Sequence, residues 1–341
     1  MVKKMKLKFL FLCISTIFFT TTSHAKEIQL NDIKSRQFVI CGTSPEYASL
    51  AYKQNDRLEG FDADLCRAFA TAIFDDSENF KLVPIKRKDI GTALNTGKID
   101  VMLGHSSLSS TEESLLNVLP VDTLYYDKQI FVSRIQTEAT AMTEFAKNKV
   151  CVLKNSNAAT FVNEYNHKHA LGFKILEFPN LTSLKEGFYT NRCELASDSE
   201  IFINDFVKSI KTNQPTQILP EIITYVPIRA YTAGNAPQIN IAFRWIVNAL
   251  KLAYSAGITS QTVETNFATK SLSMQNLLGI NKKAWNVLGL HPDWVISYVN
   301  AVGHYKHILD KNIGINSRLE INNPQNELIE NGGLLVVQPF I

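Results

Sequence analysis

The sequence predicts an α/β fold of two lobes joined by a hinge with two crossings. Three observations carry this expectation. Short buried-strand runs alternate with amphipathic helical runs in two successive series, two extended segments separate the series, and the last third of the chain has a helical pattern.

The chain begins with Lys3, Lys4, Lys6 and Lys8 ahead of an apolar run from Phe9 to Phe19, then a polar stretch ending in Ser23-His24-Ala25. This order reads as a signal peptide, residues 1–25, cleaved after Ala25. Roughly 11 apolar residues fall short of the ~20 that span a bilayer. Cys13 lies inside the apolar core without a small residue before it, so lipid attachment is not expected.

The first series starts with "FVIC" (38–41), a buried-strand pattern. "GFDADLCRAFATAIF" then places Leu65, Phe69, Ala72 and Ile73 on one helical face. "FKLVPI" (80–85) reads as the next strand. "DIGTALNTGK" reads as a short helix with Asp89 as N-cap and Gly97 past its end, feeding the strand "IDVML". The rhythm restarts at "KVCVL" (149–153), a helix near 158–167, "FKILEF" (173–178), a helix near 181–189 and "CELAS" (193–197). Both series predict a largely parallel sheet covered by helices. "YYDKQIFVSRI" (125–135) and "YVPIRAYTAG" (225–234) are the candidate crossings. Lobe one is therefore expected over 26–132 and 230–341, and lobe two over 133–229.

After residue 230, Ala242, Trp245, Ile246, Ala249, Leu250 and Ala253 keep one apolar helical face. Residues 293–314 form a late helical pair around Gly303. Trp245, Trp285 and Trp294 fall on helical segments away from the strand ends, so packing roles are expected for them.

The chain has 35 Lys and Arg against 32 Asp and Glu; removing the four signal lysines leaves 31 against 32, a net charge of −1. No basic cluster remains to track a phosphate backbone, and nucleic-acid binding is not expected. Four cysteines remain after the signal: Cys41, Cys66, Cys151 and Cys193. Three pairings are open. Placement favours Cys41–Cys66 and Cys151–Cys193, each joining neighbours within one lobe; the alternative is four buried free thiols. Clustered Cys/His spacing is lacking, as are G-x-S-x-G, H-E-x-x-H, Walker and G-x-G-x-x-G motifs. Neither metal nor cofactor is expected, and catalysis is disfavoured.

The segments "VICG", "GFDADLCRAFATAIF", "TALNTGKIDVM", "YYDKQIFV", "VCVL", "NRCELA", "LPEII", "LGLHPDWV" and "NAVGHYKHILDKNIG" resemble bacterial extracellular solute-binding proteins of family 3. The likeness is greatest to the long general L-amino-acid periplasmic binding proteins of ABC transporters. It implies a type II periplasmic-binding fold whose lobes close on a small molecule, an amino acid or relative, for delivery to permease subunits in the inner membrane. A periplasmic monomer is expected.

In that family an arginine after the "ID" strand holds the ligand carboxylate, since a guanidinium pairs bidentately with it. Here the loop reads "GHSSLSSTEES", and the arginine position falls on Glu112. The resemblance leaves hydroxyl donors at Ser106 and Ser107, a backbone-donor position at His105, and Tyr47 to stack over the ligand. On the second lobe it implies donors at Ser156 and Asn157. The family's ammonium-binding aspartate position falls on Ser199, one residue past Asp198, so a one-residue shift gives Asp198 that role. Glu112 has two readings: an altered ligand preference, or a capping box with Ser109 at a helix start. A cation from another wall, at Arg87, Lys154 or Arg229, would restore carboxylate capture. Two further functions stay open: a sensor that kept the fold and lost uptake, and a periplasmic dehydratase or lyase using Glu112 or Asp198.

Overall fold

The structure, a computed structural model, describes residues 27–135, 138, 141–209, 215–263 and 271–341. The signal segment expected at 1–25 lies outside the described residues.

The first series runs α1 (Leu30–Arg36), β1 (Val39–Thr43), β2 (Tyr52–Gln54), β3 (Arg57–Glu59), α2 (Phe61–Phe74), β4 (Phe80–Pro84), α3 (Ile90–Asn95), β5 (Val101–Ser106) and α4 (Ser110–Leu116). The long strand β6 (Val118–Ser133) leads to β7 (Lys149–Leu153), α5 (Asn157–Lys168), β8 (Lys174–Phe178), α6 (Leu181–Tyr189), β9 (Leu195–Ser199) and α7 (Glu200–Lys208). A second long strand, β10 (Gln217–Ala233), returns to α8 (Pro237–Ser255), α9 (Leu272–Leu277), α10 (Lys282–Asn286), α11 (Trp294–Ala301) and α12 (Tyr305–Asn312).

Eight strands form one sheet in the order β4-β1-β5-β10-β6-β9-β7-β8. Within each half the pairs are parallel. The long strands are antiparallel to each other and to their outer neighbours β5 and β9. The sheet is thus mixed rather than largely parallel, because the two crossings run in opposite directions through its middle. The strand expected at 193–197 runs instead from Leu195 to Ser199, so Asp198 is part of the strand end.

Helix α2 shows how the first half is held. Every one of its residues except Phe74 is buried, because the sheet packs against one side and α8, α11 and α12 against others. Arg67 is tolerated there because its guanidinium bonds Asp64 at 2.9 Å, Glu78 at 3.2 Å and the Leu58 carbonyl. Trp285 and Trp294 are fully buried in the same core, edge to face with centroids 5.4 Å apart, and Trp245 packs on Phe340. Separate apolar clusters lie on the two faces of the β7–β9 half, one around Phe131 and Phe173, the other around Phe188 and Phe206. The cysteines pair Cys41–Cys66 and Cys151–Cys193, with Cα atoms 6.2 and 5.8 Å apart.

Beyond α12 the chain runs along the middle of the sheet. Asn326 Oδ1 accepts Tyr126 N–H at 2.6 Å and its amide donates to Tyr126 O at 2.8 Å. Arg318 reaches Asp205 on α7 at 2.8 Å, and Lys208 reaches Glu320 at 3.0 Å. The tail therefore ties β6 and α7 together.

Candidate binding cleft

A cavity of about 830 Å³ opens where the C-terminal ends of β1, β4 and β5 face those of β7 and β9. Ten of the residues singled out from the sequence line it, Tyr47, Arg87, His105, Ser106, Ser107, Glu112, Lys154, Ser156, Asn157 and Asp198, whereas Arg229 is not among the lining residues. Strand ends in such sheets present loops and helix starts, so residues scattered over 150 positions meet at one place.

The deep side is built on a sharp backbone turn. Gly104 and His105 both adopt left-handed conformations, φ 54° and 52°. A Cβ at Gly104 would collide with the Ser44 backbone, so glycine is required there. Asp62 on α2 fixes the turn by accepting Gly104 N–H at 3.0 Å. Its burial pushes that carboxyl up to about 8 against the one hydrogen bond that lowers it. The turn brings the His105 ring onto Tyr47, stacked with centroids 3.9 Å apart, and its Nε2 donates to Asp127 Oδ2 at 2.6 Å. Tyr47 in turn meets lobe two: its hydroxyl donates to Asp198 Oδ1 at 3.4 Å. Burial raises Asp198 to about 6; Asp127 and Glu46 push the same way, while the Ser199 N–H and His105 oppose them. Tyr47 is held well above its ordinary range by burial and the Asp198 charge, and stays a neutral donor.

The mouth has a different chemistry. Ser109 caps α4 by accepting Glu112 N–H, and Glu112 Oε2 accepts Ser109 N–H at 2.9 Å, the reciprocal capping box. The same carboxylate also chelates Arg87, which stands in the turn between β4 and α3: Nη2 lies 2.7 and 2.9 Å from its oxygens and Nε 3.1 Å from Oε1. Burial would raise Glu112, but the Ser109 N–H and the Arg87 charge outweigh it and leave the carboxyl below its usual range. Its neighbour Glu113 faces Arg229 at 3.6 Å. Both acids of the "TEES" stretch are thus opposed by arginines from other segments.

Across the mouth, Asn157 donates from lobe two to Ser107 O at 3.0 Å, and Arg87 Nη2 donates to the same oxygen at 3.2 Å. Ser156 caps α5 by accepting Ala159 N–H at 3.2 Å while donating to Leu153 O at 2.6 Å. The Ser156 hydroxyl and Asn157 amide, read from sequence as ligand donors, are engaged within the protein in this arrangement. Ser106 is buried at the end of β5 in register with Arg229. Lys86, Lys88 and Lys154 line the rim without an ion pair among the described residues. Asp127, Glu46, Gln129, Phe161 and Pro179 were not picked out from the sequence as site residues. For Asp127 the signal was present: a single acid in the aromatic and β-branched run "YYDKQIFV". Among the described residues, no group of three or more His, Cys, Asp or Glu is arranged to hold a metal ion.

A sheet divided by two long crossing strands, with a cleft between facing strand ends that carries Asp198 on its deep side and Arg87 and Lys154 at its mouth, defines a bilobal receptor for a small solute. The chain belongs to the bacterial extracellular solute-binding proteins, family 3, whose model matches residues 39–314. It is 28% identical over 322 residues to the general L-amino acid-binding periplasmic protein AapJ of Rhizobium johnstonii, covering 93% of this chain and 94% of that one. Identity to the putative amino-acid ABC transporter-binding protein YhdW of Escherichia coli is 26% over 315 residues, covering 91% and 92%. Among solved structures, an ABC transporter/periplasmic binding protein from Brucella ovis with glutathione bound is similar with a TM-score of 0.82 at 26% identity, covering 91% of this chain and 98% of that one. The chain is therefore a solute-binding protein, and among the described residues no helix is long and apolar enough to cross a membrane.

Proposed function

We propose that this protein is an exported, monomeric receptor, freed of residues 1–25, that carries an amino acid or short peptide to the permease subunits of an ABC transporter. In this reading 26–132 with 230–341 close on 133–229 about β6 and β10, and the closed form docks on the permease without chemical change to the cargo. The observation that supports it most is the placement of opposite charges at the two ends of the cleft. Asp198, buried at 5% exposure beside Tyr47, suits an ammonium group, while Arg87 and Lys154 at the mouth suit carboxylates.

The cleft volume of about 830 Å³ favours ligands larger than a single amino acid. It lies toward the top of the roughly 300–1,000 Å³ range of sites that enclose drug-sized molecules. The Brucella ovis relative holds glutathione, a tripeptide with one ammonium and two carboxylates. Thermal shift against amino acids, glutathione and other short peptides tests the assignment. A receptor gains stability with one ligand class as RT ln(1+[L]/Kd) requires, whereas flat responses across all of them would refute the uptake role.

A further inference from the structure

The carboxylate partner on lobe one has moved. We propose that Arg87, presented from the β4–α3 turn and clamped by Glu112, is the specificity-determining anion donor of the cleft, and that Glu112 is a positioning residue rather than a ligand contact. The ligand class that follows is an extended zwitterion, its ammonium at Asp198 and its carboxylate at the mouth beside Arg87. This rests on the receptor reading above and goes further by saying which residue selects the cargo and where the charge of the cargo lies.

The geometry carries the assignment. Glu112 occupies both oxygens with Nε and Nη2 of Arg87, and Ser109 N–H bonds Oε2 as well. A carboxylate so fully engaged has little capacity left for a ligand cation. Arg87 is bonded through Nε and Nη2, to Glu112 and to Ser107 O. Its Nη1 has no partner among the described residues, and the side chain is 39% exposed while lining the cleft. A guanidinium has five N–H donors in a rigid fork, so pinning one edge aims the other. Ser107 O, shared by Arg87 and Asn157, puts the guanidinium at the seam between lobes, in a cleft that Lys154 also lines. The Arg87–Glu112 pair thus does from two chain segments what one arginine on α4 would do, with the anion position displaced toward the mouth.

The test uses the twenty common L-amino acids, dialanine and trialanine, each as free acid and carboxamide, titrated calorimetrically into wild type, R87Q and E112Q. Wild type should prefer a free acid over its amide by about 10- to 100-fold, the range of a charged hydrogen-bonded pair. R87Q should bring that ratio close to one, with acids losing far more affinity than amides. E112Q should reduce the ratio by several fold, weakening acids more than amides, which a merely structural role would not do. Circular dichroism and ligand-free Tm establish that both variants fold. Preference for acid retained in R87Q overturns the assignment, as does E112Q losing acids and amides alike, because Glu112 would then bind the ligand ammonium. If wild type binds none of these ligands, the receptor reading fails first and this proposal falls with it.

Discussion

Asp198 offers a perturbation whose size follows from the structure. It is 5% exposed, meets Tyr47 at 3.4 Å and Ser199 N–H at 2.7 Å, and burial lifts its carboxyl to about 6. In the proposed role a ligand ammonium would bind the ionised form, so Kd should scale as one plus ten to the power of 6 minus pH. From a plateau above pH 7, affinity weakens about 2-fold at pH 6 and about 11-fold at pH 5. Ligand-free stability slopes the other way. The folded state holds this proton more tightly than the unfolded chain does, so the group's contribution is complete below the unfolded value of 3.8 and is lost as pH rises through about 6. Titration calorimetry from pH 5 to 7.5 with the amino acid or peptide that gives the largest thermal shift measures the first slope. The Asp198→Asn variant isolates this carboxyl from the rest of the cleft: it should bind about 10- to 100-fold more weakly at pH 7.5 and show no slope. A wild-type affinity that is flat, or a variant that follows the wild-type slope, would refute the ammonium role.

Asp62→Asn should keep an acceptor for Gly104 N–H while removing a carboxyl that burial holds near 8. The sign is the same as for Asp198, so the variant should match wild type near pH 4 and exceed it increasingly up to pH 8, by up to about 1.4 kcal/mol per pH unit; thermal melts across that range check it. Replacing Cys151 and Cys193 by serine opens a loop with a sequence separation of 42 and should cost about 4 kcal/mol, seen as a lower denaturant midpoint. Asn326→Ala removes the acceptor for Tyr126 N–H and one of two side-chain donors to Tyr126 O, the Gln325 amide keeping the other at 3.1 Å, and should cost about 1–3 kcal/mol in chemical unfolding.

What was legible in the sequence was what is local in it. Strand and helix periodicities marked the two series because each element needs only its own residues. The Ser109–Glu112 box was readable for the same reason, its partners being three positions apart. The cysteine pairing followed from which segments are neighbours. The β2–β3 hairpin was missed, although Asn55 and Asp56, both at positive φ, supply the turn chemistry such a loop needs. The candidate residues line one cavity, but their partners within the protein could not be read. Arg87 meets Glu112 over 25 positions, His105 meets Asp127 over 22 and Asn157 meets Ser107 over 50. Those contacts exist only once the sheet has brought loop against loop, and they change the meaning of Glu112: the capping and cleft readings describe the same carboxylate.

The most direct test of the cleft as a carrier site is native mass spectrometry of wild type and Asp198→Asn after incubation with the amino-acid and peptide set. The expected result is one ligand retained per wild-type chain, recovered with its mass unchanged, and little or none on the variant. Equal retention by the variant, conversion of the ligand to another mass, or no retained ligand at all would contradict it.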